Sequence, residues 1–393
     1  MPLCASLKIM KIICATSIPF ATEAFGPLGE LQVLDPRNIT PAAVKDAEVL
    51  ICRSTLKVNK ALLEGSSLKF AATCTIGNDH MDLAYLEQKG ITHFTAAGCN
   101  ANSVAEYLTC ALLALARRHR FRLRDKTIGV IGVGNVGSLV VKKASALGMR
   151  VLLNDPPLLD KIKDSRYQPL EEVLAEADIL TVHVPLTKTG KYPTFHLADR
   201  QFLTRARPGC IFINAARGAV MDSESFLSAR SKGIIKYAVI DCWEGEPAFR
   251  PDVMKAADLA TPHIAGYSFE GRVMGTVLAY RRLCQFLNIT PTFNHEAMMP
   301  PPPVPEINYD ATDKTDEEAL AEITGQVYAI AADDHLLRKS ACNDAATRGG
   351  NFEKMRKNYH MRREFRYTRV ILRNAPAVLA DTLRKLEFQV ATE

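Results

Sequence analysis

The stretch T-I-G-V-I-G-V-G-N-V-G at residues 127–137 decides the fold of this chain. Its apolar first half predicts a strand, and the glycines that follow form the pattern G-x-G-x-x-G at the start of a helical segment. In such a turn Gly132 permits the tight bend, Gly134 lets the backbone approach a pyrophosphate, and Gly137 lets the helix pack closely on the strand. Backbone N–H groups at the helix N-terminus would then face the phosphates, so the stretch predicts a dinucleotide site.

Asp155 strengthens this interpretation, because it follows a second apolar run, R-V-L-L-N, at residues 150–154. An acid at that distance accepts hydrogen bonds from an adenosine ribose, and its charge would repel a 2′-phosphate. Pro156 and Pro157 come next, with no arginine placed to hold such a phosphate. The sequence therefore favours NAD over NADP. A lone glycine pattern can also be an ordinary strand-to-helix turn, and the correctly spaced acid argues against that alternative.

Composition limits the class of protein. The chain has 393 residues, enough for two or three domains, with 47% hydrophobic and 23% charged residues. A formal charge of +6 is too small to indicate a nucleic-acid partner. No apolar run reaches the roughly eighteen residues that would predict a membrane span. The ten cysteines form neither a C-x-x-C pair nor a metal-ligand cluster, which predicts reduced thiols, a cytoplasmic protein and no metal site.

Short apolar runs alternate with helical patterns along the chain, which predicts parallel α/β architecture. Ahead of the glycine pattern, strands are expected near residues 11–15, 49–52, 69–73 and 90–94. After residue 154, the expected elements are strands near residues 179–184, 210–214 and 237–241 and a helix near residues 270–287.

These elements predict two Rossmann-like domains with parallel sheets and a third, α+β domain. The expected parts are a first α/β domain at residues 1–98 that residues 267–290 complete, a nucleotide-binding domain at 99–266, a proline-rich linker at 291–305 and a C-terminal domain at 306–393. Residues before Met10 are interpreted as an N-terminal extension. The segment S-V-A-E at residues 103–106 has the pattern of a capping box, which predicts Ser103 as the N-cap of a helix.

Three charged side chains each follow a predicted strand. Arg217 lies in N-A-A-R-G, Glu246 in D-C-W-E-G-E-P and His263 in T-P-H-I-A-G-Y. Open α/β folds bind ligands at the carboxyl edge of the sheet. There an arginine can hold a carboxylate through two parallel hydrogen bonds, and a histidine can take a hydroxyl proton while a glutamate favours its protonated form. Each residue alone is more often structural, but their order behind a dinucleotide pattern favours catalysis.

Together, the glycine pattern and these three segments resemble the D-isomer-specific 2-hydroxyacid dehydrogenase family. The resemblance implies a nucleotide domain inserted into a substrate domain, NAD as cofactor, and Arg217, Glu246 and His263 as the catalytic residues. It also implies a set of cofactor-binding residues, namely Gly132, Gly134, Asn135, Val136, Gly137, Asp155, Val184, Asp241 and Gly266.

One branch of that family fits better than the others, the branch that oxidises 4-phospho-D-erythronate during vitamin B6 biosynthesis. Its segments are similar to V-L-I-C-R-S-T at residues 49–55, T-C-T-I-G-N-D-H at 73–80 and the stretch at 352–365. The resemblance implies a homodimer formed through the C-terminal domain, with no nucleic-acid or membrane partner. It implies three substrate contacts, to which we add a fourth residue as a phosphate contact: Ser54, Thr75, Tyr267 and Arg53.

Two alternative functions stay open at this point. Another enzyme of the same family would act on 3-phosphoglycerate or on an unphosphorylated 2-hydroxy acid. An NAD-sensing interaction protein, similar to transcriptional corepressors that share this fold, would bind cofactor with negligible turnover.

Residues 348–373 form a basic segment with nine Lys or Arg against two Glu. Few aromatic residues are interleaved with these charges, so a solvated helix at a dimer interface accounts for them better than nucleic-acid binding does. We also expect that one of these arginines reaches the active site of a partner subunit and helps to hold the substrate phosphate.

Overall fold

The structure is a computed structural model that describes residues 10–393. The N-terminal extension expected before Met10 lies outside the described residues. The chain divides into two compact units. The first unit contains residues up to Asn100 together with Phe269–Pro300, and the second contains Ala101–Ser268 together with Pro301–Glu393.

The secondary structure alternates as the sequence pattern predicts. The strands are β1 Lys11–Ala15, β2 Glu30–Leu34, β3 Val49–Cys52, β4 Phe70–Thr73, β5 Thr92–Thr95, β6 Thr127–Ile131, β7 Arg150–Asn154, β8 Ile179–Val182, β9 Cys210–Asn214, β10 Ile235–Ile240, β11 Leu259–Ala260, β12 Glu306–Asp310, β13 Arg369–Arg373 and β14 Gln389–Thr392. The α-helices are α1 Ala21–Phe25, α2 Pro41–Val44, α3 Lys60–Leu63, α4 Leu83–Gln88, α5 Ala101–His119, α6 Asn135–Ala146, α7 Pro156–Ile162, α8 Leu170–Glu176, α9 Arg200–Arg205, α10 Ser223–Ser231, α11 Pro251–Ala256, α12 Phe269–Leu287, α13 Asp316–Val327, α14 Ile330–Ser340, α15 Ala345–Lys357 and α16 Ala377–Lys385.

The first unit is built on a parallel sheet with the strand order β2-β1-β3-β4-β5. Strand β3 is buried along its whole length, as expected for a central strand of a parallel sheet that is covered on both faces. The sequence pattern does not predict strand β2, because it is a short edge strand in which no residue is fully buried. The order of connections reverses between β1 and β3, and such a switch point opens a crevice at the carboxyl ends of the strands.

The second unit contains the glycine pattern and a six-stranded parallel sheet with the order β11-β10-β9-β8-β6-β7. The switch point lies between β6 and β8, so the glycine turn that follows β6 opens at that crevice. Strands β9, β10 and β11 are neighbours on one side of it. The segments that carry Arg217, Glu246 and His263 therefore leave the same edge of one sheet.

The C-terminal part of the second unit has a three-stranded sheet in the order β12-β13-β14, with both pairings parallel. Its side chains share an apolar core with α5 and α6, since Val370 and Leu372 belong to the same buried cluster as Leu112 and Val140. This architecture confirms the predicted fold class, with Rossmann-like parallel sheets and a small C-terminal sheet.

The capping box predicted at Ser103 is wrong. Helix α5 begins at Ala101, and the Ser103 hydroxyl is buried against Ser268 Oγ at 2.5 Å and Glu364 Oε1 at 3.2 Å. Glu106 accepts hydrogen bonds from the backbone N–H of Phe365 and from the side-chain amide of Asn102. A polar network with a distant segment has replaced the local cap that the sequence pattern favoured.

The cysteines and the helix lengths bear on two predictions from composition, those of reduced thiols and of no membrane span. The cysteines described in residues 10–393 are all free, and burial raises the pKa of Cys52 to about 12, which keeps that thiol protonated. Within the same residues, no helix has both the length and the apolar character needed to cross a membrane.

Candidate active site

The glycine turn after β6 has three glycines for three different reasons. Gly132 has a φ of +88°, and a Cβ atom there would lie 2.7 Å from the carbonyl oxygen of His183. A Cβ atom on Gly137 would lie 2.0 Å from the carbonyl oxygen of Gly132, so helix α6 can start this close to the turn only without a side chain. Gly134 is different, because its Cβ position faces open space with no heavy atom within 4 Å. That space is what an approaching ligand would need.

Helix α6 begins beside that space and carries no side-chain cap at its N-terminus. Asn135 and Val136 are its first residues, and Asn135 is exposed. The N–H groups in the first turn of a helix lack partners within the helix, and the helix dipole adds positive potential there. The residues present therefore fit a pyrophosphate at this end of α6.

Asp155 follows β7 and stabilises the glycine turn through hydrogen bonds that the sequence pattern does not reveal. Its Oδ2 accepts a hydrogen bond from the N–H of Val133 at 2.8 Å, and its Oδ1 caps helix α7 by accepting from the N–H of Leu158 at 2.9 Å. On the other side of the turn, Val184 follows β8 and packs so close that a Cβ on Gly132 would lie 2.8 Å from its Cγ1. Both predicted cofactor residues thus border the glycine turn.

Arg217 lies directly after β9 in a loop that Asn214 anchors. The Asn214 side chain donates to the carbonyl oxygen of Arg217 at 3.0 Å and accepts from the N–H of Ala216 at 3.1 Å. The next residue, Gly218, lies so close to Trp243 that a Cβ atom would be 2.0 Å from the Trp243 carbonyl. The loops that carry Arg217 and Glu246 are therefore in direct contact.

Glu246 and His263 form the central pair of the site. His263 Nδ1 lies 2.6 Å from Glu246 Oε1, and Glu246 Oε2 accepts a hydrogen bond from the backbone N–H of Trp243 at 3.1 Å. About a quarter of each side chain is exposed. Burial acts to raise the pKa of Glu246, but the charge and hydrogen bond of His263 outweigh it and hold that pKa below its usual value. An ionised Glu246 then fixes the ring through Nδ1 and leaves Nε2 for another partner.

His263 itself has a φ of +54°, a backbone conformation that costs energy for a residue with a side chain. Asp241 holds it there. The buried Asp241 carboxylate accepts from the N–H of Ile264 at 2.8 Å, from the N–H of Ala265 at 2.9 Å and from the Thr261 hydroxyl at 2.6 Å. Burial raises the pKa of Asp241 despite these donors. Asp241 was predicted as a cofactor residue, and the structure gives it this anchoring role in the loop of His263.

Gly266 and Tyr267 follow in the same loop, and Tyr267 contacts a residue that the sequence pattern did not single out. The guanidinium carbon of Arg356 lies 5.4 Å from the centre of the Tyr267 ring. Arg356 belongs to α15 and to the basic segment at residues 348–373. The charge density of that segment was the signal available in the sequence, but it did not indicate which arginine approaches the site. An arginine donated by a partner subunit stays a prediction, whereas this contact lies within one chain.

The predicted substrate residues of the first unit follow its central strands. Arg53 and Ser54 come directly after β3, where Ser54 is exposed and Arg53 Nη1 donates to the carbonyl oxygen of Ser17 at 3.5 Å. Thr75 follows the neighbouring strand β4, with its hydroxyl 2.7 Å from that of Thr73. These residues thus border the carboxyl ends of β3 and β4, beside the switch point of that sheet.

Among residues 10–393 one group of side chains has the ligand types that a metal ion prefers. The donor atoms of His196, Asp222 and Glu244 lie within 4.8 Å of one another. Each is engaged in a protein contact, because His196 Nε2 lies 2.5 Å from Glu244 Oε1 and Asp222 caps helix α10. Glu244 also accepts a hydrogen bond from the hydroxyl of Ser223 at 2.7 Å. These hydrogen bonds explain why the three side chains lie together, as a polar cluster beside the Arg217 and Glu246 loops.

Two family models match the chain. Residues 112–265 match the NAD binding domain of the D-isomer specific 2-hydroxyacid dehydrogenases. Residues 298–386 match a domain of unknown function, which assigns no role to the C-terminal part.

Similar proteins cover nearly the whole chain. It is 42% identical over 382 residues to erythronate-4-phosphate dehydrogenase of Edwardsiella ictaluri, with 97% of this chain and 100% of that protein covered. The identity is 41% to the enzyme of the same name from Cronobacter sakazakii, with 96% and 98% covered.

Among solved structures, D-lactate dehydrogenase of Aquifex aeolicus in complex with NAD and lactic acid is 25% identical, with a TM-score of 0.57 and coverage of 70% of this chain and 95% of that one. The 3-phosphoglycerate dehydrogenase of Entamoeba histolytica with bound NAD⁺ is 24% identical and shares the fold at a TM-score of 0.61, with 73% and 98% covered. The glycine turn, the Glu246–His263 pair and this similarity agree, and the chain belongs to the D-isomer-specific 2-hydroxyacid dehydrogenase family.

Proposed function

We propose that this chain oxidises 4-phospho-D-erythronate at C2, with NAD as the hydride acceptor, and that the reaction serves the biosynthesis of pyridoxal 5′-phosphate. The product is the 2-oxo acid, 2-oxo-3-hydroxy-4-phosphobutanoate. The names of relatives about 40% identical over nearly the full length support this substrate. The observation that carries the chemistry is the 2.6 Å contact between His263 Nδ1 and Glu246 Oε1, in a loop that leaves the same sheet edge as the glycine turn.

The geometry of the glycine turn in the second unit supports NAD as the cofactor. The open space at Gly134 and the uncapped start of α6 suit the pyrophosphate, and Asp155 suits the ribose hydroxyls. NAD, when bound, accepts the hydride that leaves C2. The proposed cofactor residues are Gly132, Gly134, Asn135, Val136, Gly137, Asp155, Val184, Asp241 and Gly266.

The residues of the chain move one proton and hold the substrate. His263 Nε2 takes the proton of the C2 hydroxyl, because Nδ1 already faces Glu246. Glu246 then stabilises the imidazolium through the same contact. Arg217 holds the substrate carboxylate, which fixes the orientation of C2, and its planar guanidinium can do so through two hydrogen bonds. The hydride thus leaves C2 and the proton leaves the oxygen on C2, so that a carbonyl group remains.

Four residues are proposed as further substrate contacts on the basis of the family resemblance. Tyr267 lies four residues after His263 in the same loop of the second unit. Ser54, Thr75 and Arg53 follow β3 and β4 in the first unit. Hydroxyl and guanidinium groups are the donors that hydroxyl and phosphate oxygens require.

A substrate panel tests this proposal. The full chain is incubated with NAD and, in parallel, with 4-phospho-D-erythronate, 3-phosphoglycerate and D-lactate, and NADH formation is followed. We expect the highest kcat/KM for 4-phospho-D-erythronate and a lower value with NADP than with NAD. A preference for either of the other acids would assign the chain to another activity of the family. NAD binding without turnover of any of them would favour an NAD-sensing interaction protein.

We also propose that the chain forms a homodimer through its C-terminal domain and works in the cytoplasm. The family resemblance of residues 352–365 supports the dimer. Sedimentation of the full chain tests it, since a dimer has twice the chain mass of 43.3 kDa. A species of single-chain mass at micromolar concentration would contradict the proposal.

A further inference from the structure

Helix α15, near the C-terminus, packs against the loop that carries Glu246. Arg348 Nε donates to the carbonyl oxygen of Phe249 at 2.6 Å, and the rings of Phe249 and Phe352 lie 5.6 Å apart. A Cβ atom on Gly349 would be 3.6 Å from the Pro247 side chain, so the helix backbone itself approaches the residue after Glu246. These contacts hold the first half of α15 beside the Glu246 loop.

Arg356 extends from the last turn of this helix. Its guanidinium carbon lies 5.4 Å from the centre of the Tyr267 ring and 5.8 Å from the centre of the Phe352 ring. Its Nε atom is buried and has no hydrogen-bond partner among residues 10–393. A buried donor without a partner is costly, and it is found where a ligand or water completes the site.

The charges around Arg356 belong to the proposed active site. Burial acts to lower the pKa of Arg356, but the neighbouring Tyr267, Glu246 and Asp241 raise it above its usual value, so the side chain keeps its charge. The cation is therefore close enough to Glu246 for their charges to interact. It reaches Tyr267 in the loop after β11, whereas Arg217 lies in the loop after β9. Two cations on different loops suit a substrate with an anionic group at each end.

We propose that Arg356 is a substrate-binding residue that donates hydrogen bonds to the phosphate of the phosphorylated 2-hydroxy acid, while Arg217 holds its carboxylate. This inference rests on the proposed function. A guanidinium matches a phosphate with its planar set of donors, and stacking on an aromatic ring fixes its plane. The C-terminal domain thereby contributes directly to substrate specificity.

The test compares a phosphorylated and an unphosphorylated ligand on full-length R356M, on R356K and on K357M, a matched control at the exposed neighbouring position of α15. The measured constants are KM for 4-phospho-D-erythronate and the inhibition constant of D-erythronate, which lacks only the phosphate. We expect R356M to raise KM about tenfold or more, as the loss of a charge-assisted hydrogen bond does. R356K should fall between R356M and wild type, and K357M should match wild type.

The inhibition constant of D-erythronate separates phosphate binding from a structural role. It should stay at the wild-type value in R356M, because that ligand has no phosphate to lose. Equal weakening of both ligands would show that Arg356 only positions Tyr267 and Glu246, and an unchanged KM would also overturn the inference. If R356M does not fold, the same comparison is read from R356K, which keeps the charge and the stem. A wild-type chain that does not oxidise 4-phospho-D-erythronate would instead overturn the proposed function.

Discussion

At the scale of single residues, the site depends on a carboxylate that stays ionised next to a histidine. Glu246 is bound on both oxygens, by His263 Nδ1 and by the N–H of Trp243. Its pKa lies below the usual value because the interaction with His263 exceeds the effect of burial. Such a group stabilises the fold at pH values above its unfolded pKa, and this contribution is lost as the pH falls through the lower, folded pKa.

We predict that E246Q loses activity and changes the pH dependence of stability. Gln can still accept from Nδ1–H but cannot stabilise an imidazolium, so kcat should fall by about 10²-fold or more. The difference in free energy of unfolding between wild type and E246Q should be largest near neutral pH and shrink below pH 4.5, the usual pKa of a free Glu side chain. Urea unfolding of both proteins across this range measures it. A difference in unfolding free energy that is the same at every pH would contradict the lowered pKa of Glu246.

At the scale of elements, the ends of parallel strands explain what the sequence could predict. Arg217, Glu246 and His263 each follow a buried apolar strand, and neighbouring parallel strands bring such ends to one edge. The roles of Asp241 and Arg356 could not be predicted in this way. The first depends on three donors gathered from one folded loop, and the second depends on the packing of a helix that is about ninety residues distant along the chain. The capping box predicted at Ser103 is wrong for the same reason, since the Ser103 hydroxyl bonds to the distant Glu364.

The glycine turn gives a matched pair of variants at this scale. G137A should lower stability by about 1–3 kcal/mol, because its Cβ would lie 2.0 Å from the carbonyl oxygen of Gly132 and the turn must shift. G134A should leave the melting temperature unchanged, because its Cβ meets only open space, but should weaken NAD binding about tenfold or more. Thermal unfolding and NAD titration together measure both effects. A G134A protein that binds NAD as tightly as wild type would show that the ligand does not occupy that space.

At the scale of the whole molecule, the second unit joins the C-terminal segment to the loop of His263. Arg362 is buried and donates to the carbonyl oxygens of Ala265 at 2.5 Å and Ser103 at 3.2 Å. Its guanidinium also lies 4.5 Å from the centre of the Tyr328 ring. The C-terminal segment is therefore part of the scaffold of the candidate site within one chain, in addition to any part it has in a dimer.

We predict that R362M destabilises the full chain by about 3 kcal/mol or more, because it leaves buried carbonyl groups without their donor. It should also lower kcat, since the His263 loop loses its support. R373M is the control, because Arg373 lies at the exposed end of β13 in a surface ion pair with Glu393 at 2.9 Å, and the expected loss is below about 1 kcal/mol. Denaturant unfolding and steady-state kinetics measure both variants. Equal stability of the two variants would remove Arg362 from the scaffold.

The central claim is that the Glu246–His263 pair performs acid–base catalysis next to a bound dinucleotide. The most direct measurement compares H263A with wild type in two assays, NAD affinity by titration and kcat with 4-phospho-D-erythronate. We predict an NAD affinity close to that of wild type, because the substitution leaves the glycine turn, Asp241 and Gly266 in place, and a kcat lower by about 10²–10⁴-fold. An H263A protein that keeps more than half of the wild-type kcat would contradict the account.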